Sequence, residues 1–198
     1  MRIVIDMQGA QTESRFRGIG RYSLSLAQGI VRNRGEHEVY LLLNGMLSDS
    51  IESIRTAFIG LLPQSHIRVW YAQGPVFDQN PSNSARKEVA QRIRQACIDD
   101  LKPDVVHITS AVEGYGDDAV IGSPLLDTHA LVSATLYDLI PLVSPGQYLD
   151  GNAGYKKHYL EKVEAFKNYG LLLSLSDFAR EEALSLLPLD STNVVNVS

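Results

Sequence analysis

The 198-residue chain predicts an α/β protein with a Rossmann-like, doubly wound sheet of about seven mainly parallel strands and helices on both faces. Short runs rich in Val, Ile and Leu recur along it, several without polar alternation, as strands covered on both faces read. Between them lie longer stretches whose apolar residues fall three and four apart, the period of a helix. A basic turn with paired glycines, Arg17-Gly18-Ile19-Gly20-Arg21, separates the first strand from the first helix.

The elements follow in order. Residues 2–6 form a strand, and Tyr22, Leu26 and Ile30, flanked by Ala27 and Val31, mark the inner face of a helix over 20–33. Strands follow at 38–43 and 66–71, then a loop at 72–83 punctuated by Gln73-Gly74-Pro75 and Asn80-Pro81-Ser82. In a helix over 84–101, Val89, Ile93, Cys97 and Leu101 turn inward, while Lys87, Glu88, Arg92, Arg94 and Asp99 face water; Pro103 stops it before a strand at 104–108. The loop 109–130 is long enough to be functional and follows a strand end, so Glu113 in it is a candidate ligand contact at the cleft. Strand 131–136 leads into Tyr137-Asp138-Leu139-Ile140-Pro141-Leu142 and a helix at 153–168, where Lys156, Lys157, Lys162 and Lys167 balance Glu161 and Glu164 as solvated charge. Strand 170–175, a helix at 177–187 capped by Ser176 or Asp177, and strand 193–197 complete an alternation of strand and helix throughout.

With 44% hydrophobic residues the chain can bury one large core, which predicts a single domain over 1–198. A net charge of −5 argues against nucleic acid as partner and leaves Arg15, Arg17 and Arg21 as a local basic cluster. The single cysteine, Cys97, cannot form an internal disulfide and reads as a small packing residue in a reducing environment. Met1-Arg2-Ile3-Val4-Ile5 reads as a strand and not a signal peptide, and no apolar run reaches the roughly 18 residues of a membrane span, so the expected location is the cytoplasm. His107 lies within an apolar run and reads as a core histidine. With His37, His66, His129 and His158 scattered, no metal site is expected.

The chemistry points first to the glycine turn. Amides at a helix start are unpaired and carry the positive end of the helix dipole, and glycine lets a phosphate approach the main chain, so the expected ligand is a nucleotide or sugar phosphate. A nicotinamide dinucleotide fits poorly: Ser23 stands where that fingerprint needs its third glycine, and the strand ends at Asp6, about a dozen residues too early. Glycines before a helix also serve a turn and nothing more. Asp138, at a strand end, either meets a ligand hydroxyl or caps the turn that follows.

Taken together, Ile3-Val4-Ile5-Asp6, Gly18-Ile19-Gly20-Arg21-Tyr22, Val105-Val106-His107, Tyr137-Asp138-Leu139-Ile140-Pro141-Leu142 and Leu173-Ser174-Leu175-Ser176-Asp177-Phe178-Ala179-Arg180 resemble, in order, the N-terminal half of retaining glycosyltransferases of family 4, the group 1 type. Within the family the likeness is to bacterial enzymes, often mannosyltransferases, that build surface polysaccharides of the O-antigen kind. The resemblance implies one half of a GT-B enzyme: an acceptor-side domain facing a donor-binding C-terminal domain that is absent from this chain, so that the 198 residues are inactive alone. It implies a nucleotide-sugar donor, GDP-mannose or a UDP-sugar, a saccharide or lipid-linked saccharide acceptor, peripheral contact with the membrane in the full-length protein, and no cofactor. It places Gly18 and Gly20, with Arg17 or Arg21, beside the donor diphosphate. Tyr137 stands where the family commonly has a histidine next to the donor sugar, and Asp138 is the partner for a ligand hydroxyl. Tyrosine, with an unperturbed pKa near 10, shuttles protons poorly at neutral pH, so positioning suits Tyr137 better than base catalysis. The alternative is a stand-alone nucleotide or sugar-phosphate binding module without catalysis.

Overall fold

The computed structural model describes residues 1–122 and 129–198. Seven strands, β1 (Arg2–Asp6), β2 (Glu38–Asn44), β3 (Ile67–Trp70), β4 (Val105–Ile108), β5 (Leu131–Leu136), β6 (Leu171–Ser174) and β7 (Val194–Asn196), form one sheet in the order β3-β2-β1-β4-β5-β6-β7. Every pairing is parallel. The chain starts at the centre, winds out to β3, returns to β4 beside β1 and winds out the other way. Loops therefore diverge beyond the carboxyl ends of β1 and β4, where open α/β sheets bind ligands.

Alternation along the central strands sends side chains to two cores. Ile5, Leu41 and Leu43 pack with Ala27 and Val31 of α1 (Gly18–Arg32) and with Ile54 and Phe58 at α2 (Ile51–Ala57). Val4, Leu42 and Val106 pack with Ala90 and Ile98 of α3 (Ser84–Asp100) on the opposite face. Full burial of an aliphatic or aromatic side chain such as Leu41 or Phe58 contributes about 1.5–3 kcal/mol. The β5–β6 half has its own cluster, in which Leu136 and Leu172 meet Tyr159 and Val163 of α6 (Ala153–Glu164) and Ala183 of α7 (Asp177–Leu186). Two short helical turns, α4 (Ile140–Val143) and α5 (Pro145–Tyr148), link β5 to α6.

Several expectations change. Among the described residues no helix joins β4 to β5, in keeping with the loop expected over 109–130, so the alternation of strand and helix is interrupted there; α2, α4 and α5, by contrast, are too short to leave a periodic signal. Helix α3 is rotated from its apolar stripe. Val89 is exposed, Ile93 and Cys97 are half-buried, and Arg94, read as solvated, is 1% exposed because it pairs with Asp6 at the tip of β1. Lys162 of α6 also turns inward, donating to the Ile121 carbonyl at 2.6 Å, and burial pulls its ammonium down to about 7. Ser176 and not Asp177 caps α7, its hydroxyl accepting from the Ala179 amide at 3.1 Å. Helix α3 ends as Lys102 takes a left-handed conformation (φ 48°) ahead of Pro103.

Candidate functional site

Beyond β1 the chain makes two turns of 3-10 helix, Gln8–Ala10 and Glu13–Phe16, before α1 begins. The second is capped by Thr12, whose hydroxyl oxygen accepts from the Ser14 amide at 3.3 Å. Arg17 then occupies the N-cap of α1 in extended backbone, its side chain does not cap, and the first turn holds no acidic residue. The first bond into the helix runs from the Arg21 amide to the Arg17 carbonyl at 3.3 Å. The amides of Gly18, Ile19 and Gly20 precede it, so the positive end of the dipole is left uncompensated by the helix itself.

The two glycines serve different purposes. A Cβ on Gly20 would fall 2.2 Å from Arg15 Cα and 2.6 Å from the Ser14 carbonyl oxygen, so the first turn of α1 packs backbone to backbone on the preceding turn. A Cβ on Gly18 would meet nothing within 4 Å, and the residue is exposed. Packing explains Gly20, and no contact within this chain requires glycine at 18. Arg17 and Arg21 are exposed beside it. Arg15 is diverted, its guanidinium donating to the Gln11 carbonyl at 2.8 Å and lying over the Phe16 ring.

Tyr137, just past β5, brings this turn to the strand ends. Its hydroxyl lies 2.9 Å from the Thr109 carbonyl, 3.2 Å from the Ile19 carbonyl and 3.0 Å from Ser23 Oγ, and its ring meets Tyr22 edge to face with centroids 5.9 Å apart. Burial pushes the hydroxyl well above the ordinary tyrosine value, the Ser23 bond opposing and Tyr22 and Glu113 adding to the rise, so at neutral pH it stays protonated. Asp138 is exposed, with Oδ1 accepting from the Ile140 amide at 3.2 Å across the start of α4. This local turn contact and a carboxylate open to solvent coexist in one residue.

Glu113 is buried among hydroxyls. Thr12 donates to its Oε2 at 3.0 Å, and Ser14 and Ser110 donate to its Oε1, each at 2.9 Å. Burial raises its carboxyl above the usual range, Ser14, Ser110 and Thr12 oppose that, and nearby Asp117 adds to it. Thr12, Ser14, Ser23, Thr109 and Ser110 are the site residues that sequence reasoning missed. Isolated hydroxyl side chains carry no periodic or motif signal; the one hint was Thr12 standing as an N-cap type two residues ahead of Ser14.

The other histidines of note stand apart from this chemistry. His107 is buried in the sheet against Ser133 and Thr135, and His158 joins Asp78 to the Val112 carbonyl. Burial would raise the Asp78 carboxyl, but hydrogen bonds from His158 and Lys87 outweigh it and bring it down to about 2. Among the described residues no three His, Cys, Asp or Glu are grouped to hold a metal ion, and no helix is long and apolar enough to cross a membrane.

No protein-family model matches the chain. The serotype-specific mannosyltransferase WbdA of Escherichia coli is 32% identical over 199 residues, spanning 100% of this chain and 24% of its own length. The chain thus spans about a quarter of that curated relative, and the similarity covers this chain from end to end. Among solved structures, UDP-GlcNAc 2-epimerase from Neisseria meningitidis bound to UDP-GlcNAc superposes with a TM-score of 0.59 at 11% identity, covering 99% of this chain and 46% of that one. Arabidopsis thaliana UGT89C1 complexed with UDP gives a TM-score of 0.51 at 11% identity, covering 100% of this chain and 48% of that one. At such identities the likeness is one of fold: the parallel sheet is Rossmann-like and matches one half of a GT-B architecture.

Proposed function

We propose that this chain is the acceptor-side domain of a nucleotide-sugar-dependent, retaining glycosyltransferase, that it is inactive alone, and that a donor-binding lobe completes it. The one observation that carries the reading is the start of α1: an uncapped turn with room at Gly18, held at the topological switch by the bond between Tyr137 and the Ile19 carbonyl. The similarity to the mannosyltransferase WbdA over the whole chain supports hexosyl transfer; the proposed donor is GDP-mannose or a UDP-sugar, and the proposed acceptor a saccharide, free or lipid-linked. Peripheral membrane contact of the complete protein belongs to the same reading.

In this reading the roles divide by exposure. The amides of Gly18 and Ile19, with Arg17 and Arg21, face the diphosphate of a donor seated on the second lobe and offset the charge that builds on it as the glycosidic bond breaks. Asp138 accepts from a sugar hydroxyl. Tyr137, protonated and committed to Ile19, Thr109 and Ser23, positions the turn and transfers no proton. Retention in this group requires no protein nucleophile, and none of these residues acts as one.

The test is Gly18→Val in the full-length protein, assayed with GDP-mannose and a panel of UDP-sugars. Because a Cβ at 18 meets nothing of this chain within 4 Å, thermal stability should hold. The added bulk should cut kcat/KM by about a hundredfold, the scale of losing an oxyanion-type donor. Unchanged transfer would end the phosphate-cradle assignment. Tight calorimetric binding of a nucleotide sugar to residues 1–198 alone would favour the stand-alone binding module instead.

A further inference from the structure

We infer that Glu113 is a positioning residue whose carboxylate aims the anion-receiving turn by clamping Thr12 and Ser14 to Ser110 at the end of β4. The inference rests on the reading above that this turn receives the donor diphosphate. It replaces direct ligand contact by Glu113 with an indirect role.

Glu113 has the wrong chemistry for simple packing. Burying a carboxylate costs several kcal/mol unless its lone pairs are filled, and among the described residues no cation lies within ion-pair distance of it. Three hydroxyl donors fill them instead, two from the segment that precedes α1 and one from the end of β4. Thr12 is used twice, its oxygen accepting from the Ser14 amide while its hydrogen goes to Glu113, which makes the cap and the clamp one relay. A carboxylate that accepts all three fixes the direction of each O–H, which an apolar or amide side chain cannot do.

The clamp itself stands on a fixed base. Gly114 has φ +98°, and a Cβ there would fall 2.5 Å from the Ala119 carbonyl oxygen. The Gly114 carbonyl accepts from the Asp78 amide at 3.0 Å, and the Val112 carbonyl lies 3.1 Å from His158 Nε2. Further along the loop, Val120 exchanges two bonds with the Gln8 amide group. From Glu113 the constraint passes outward: the turn Glu13–Phe16 is held, Gly20 lies against its backbone at Ser14 and Arg15, and the free amides of α1 begin two residues earlier. A shift of about 1 Å in a substrate-holding group far from the chemistry can cost about a hundredfold in rate, so a loosened clamp should register in donor use.

The experiment compares Glu113→Gln and the double variant Thr12→Val/Ser14→Ala with the wild type in the full-length protein. Amide hydrogen exchange should quicken about tenfold over residues 13–22 in both variants, with β1 and β4 changed less than about twofold. With GDP-mannose as donor, kcat/KM should fall about tenfold, with kcat sharing in the loss, while the acceptor KM stays within about threefold, and Glu113→Asp should recover part of it. Unchanged exchange over 13–22 overturns the clamp and leaves the transferase reading standing. Faster exchange with an unchanged kcat and kcat/KM for the donor overturns the assignment from the other side and takes with it the diphosphate role of the turn. Exchange that quickens evenly across the sheet reduces Glu113 to a general stabiliser and also overturns the proposal.

Discussion

His107 shows how one residue in the sheet ties stability to pH. It is 3% exposed, with Nδ1 2.9 Å from Ser133 Oγ and Nε2 3.1 Å from Thr135 Oγ1, and burial drives the imidazole down to about 4. Because the unfolded chain takes up a proton near 6.5 and the folded one only near 4, the unfolded state binds more protons between those values, and stability falls as pH drops through that window. The loss attributable to this ring should be roughly 3 kcal/mol. Urea unfolding at pH 7 and pH 4 should show the wild type losing that much more than His107→Asn, which is weaker at pH 7 but has no ring to titrate. Equal losses would locate the acid sensitivity elsewhere. Asp78 works in the same direction at lower pH, where its contribution is lost as the pH falls from 3.8 towards 2. The same scale separates the two glycines of the turn: only neighbouring backbone reveals that Gly20 answers to packing and Gly18 does not.

Helix α1 is the element on which the site depends, and its placement is set less by its apolar stripe than by small residues and one hydroxyl. Gly20, Ser23, Ala27 and Val31 form its buried line, while Tyr22, Leu26 and Ile30, read as the inner face, are half-buried. Small side chains bring the helix close to the sheet, and Tyr137 then reaches Ile19 and Ser23 from the end of β5. Tyr137→Phe should keep the ring in place and leave its polar neighbours short of a partner, at a cost of about 1–3 kcal/mol. For a domain of this size that is a fall in melting temperature of about 2–4 °C per kcal/mol, measurable by calorimetry. An unchanged melting temperature would show that the hydroxyl does not secure the helix. Among the helices, legibility followed length. The boundaries of α1, α3 and all seven strands came within a few residues of the sequence reading, since the two helices repeat their period several times and the strands stand out as short apolar runs between turn residues. Helix α2, at seven residues, and α4 and α5, at four each, offer too few repeats to stand out from loop.

Across the whole molecule, the buried pair of Asp6 and Arg94 joins the central strand to α3 directly behind the site. Arg94 Nε donates to Asp6 Oδ2 at 2.7 Å, its Nη2 lies 2.6 Å from the same oxygen, and Gln8 donates to both carboxylate oxygens. Arg94→Leu should cost about 3–5 kcal/mol by stranding the Asp6 charge, and Asp6→Asn/Arg94→Leu should cost clearly less than the single change. Chemical unfolding of the wild type, Asp6→Asn, Arg94→Leu and the double variant checks this, and a double variant as unstable as the sum of the singles would deny the coupling. The pair also marks the boundary of what a chain discloses before it folds. The strand and helix alternation, the parallel sheet and the glycine turn were legible in the sequence, because they arise from side-chain periods of two and 3.6 residues and from backbone chemistry within a few positions. The polar partnerships were not. Asp6 and Arg94 are 88 residues apart, Thr12 and Glu113 are 101, and Ile19 and Tyr137 are 118. No local pattern encodes such meetings. They were decided only when the strands closed into a sheet and carried buried charges and hydroxyls to places without water, where each had to find a partner or destabilise the fold.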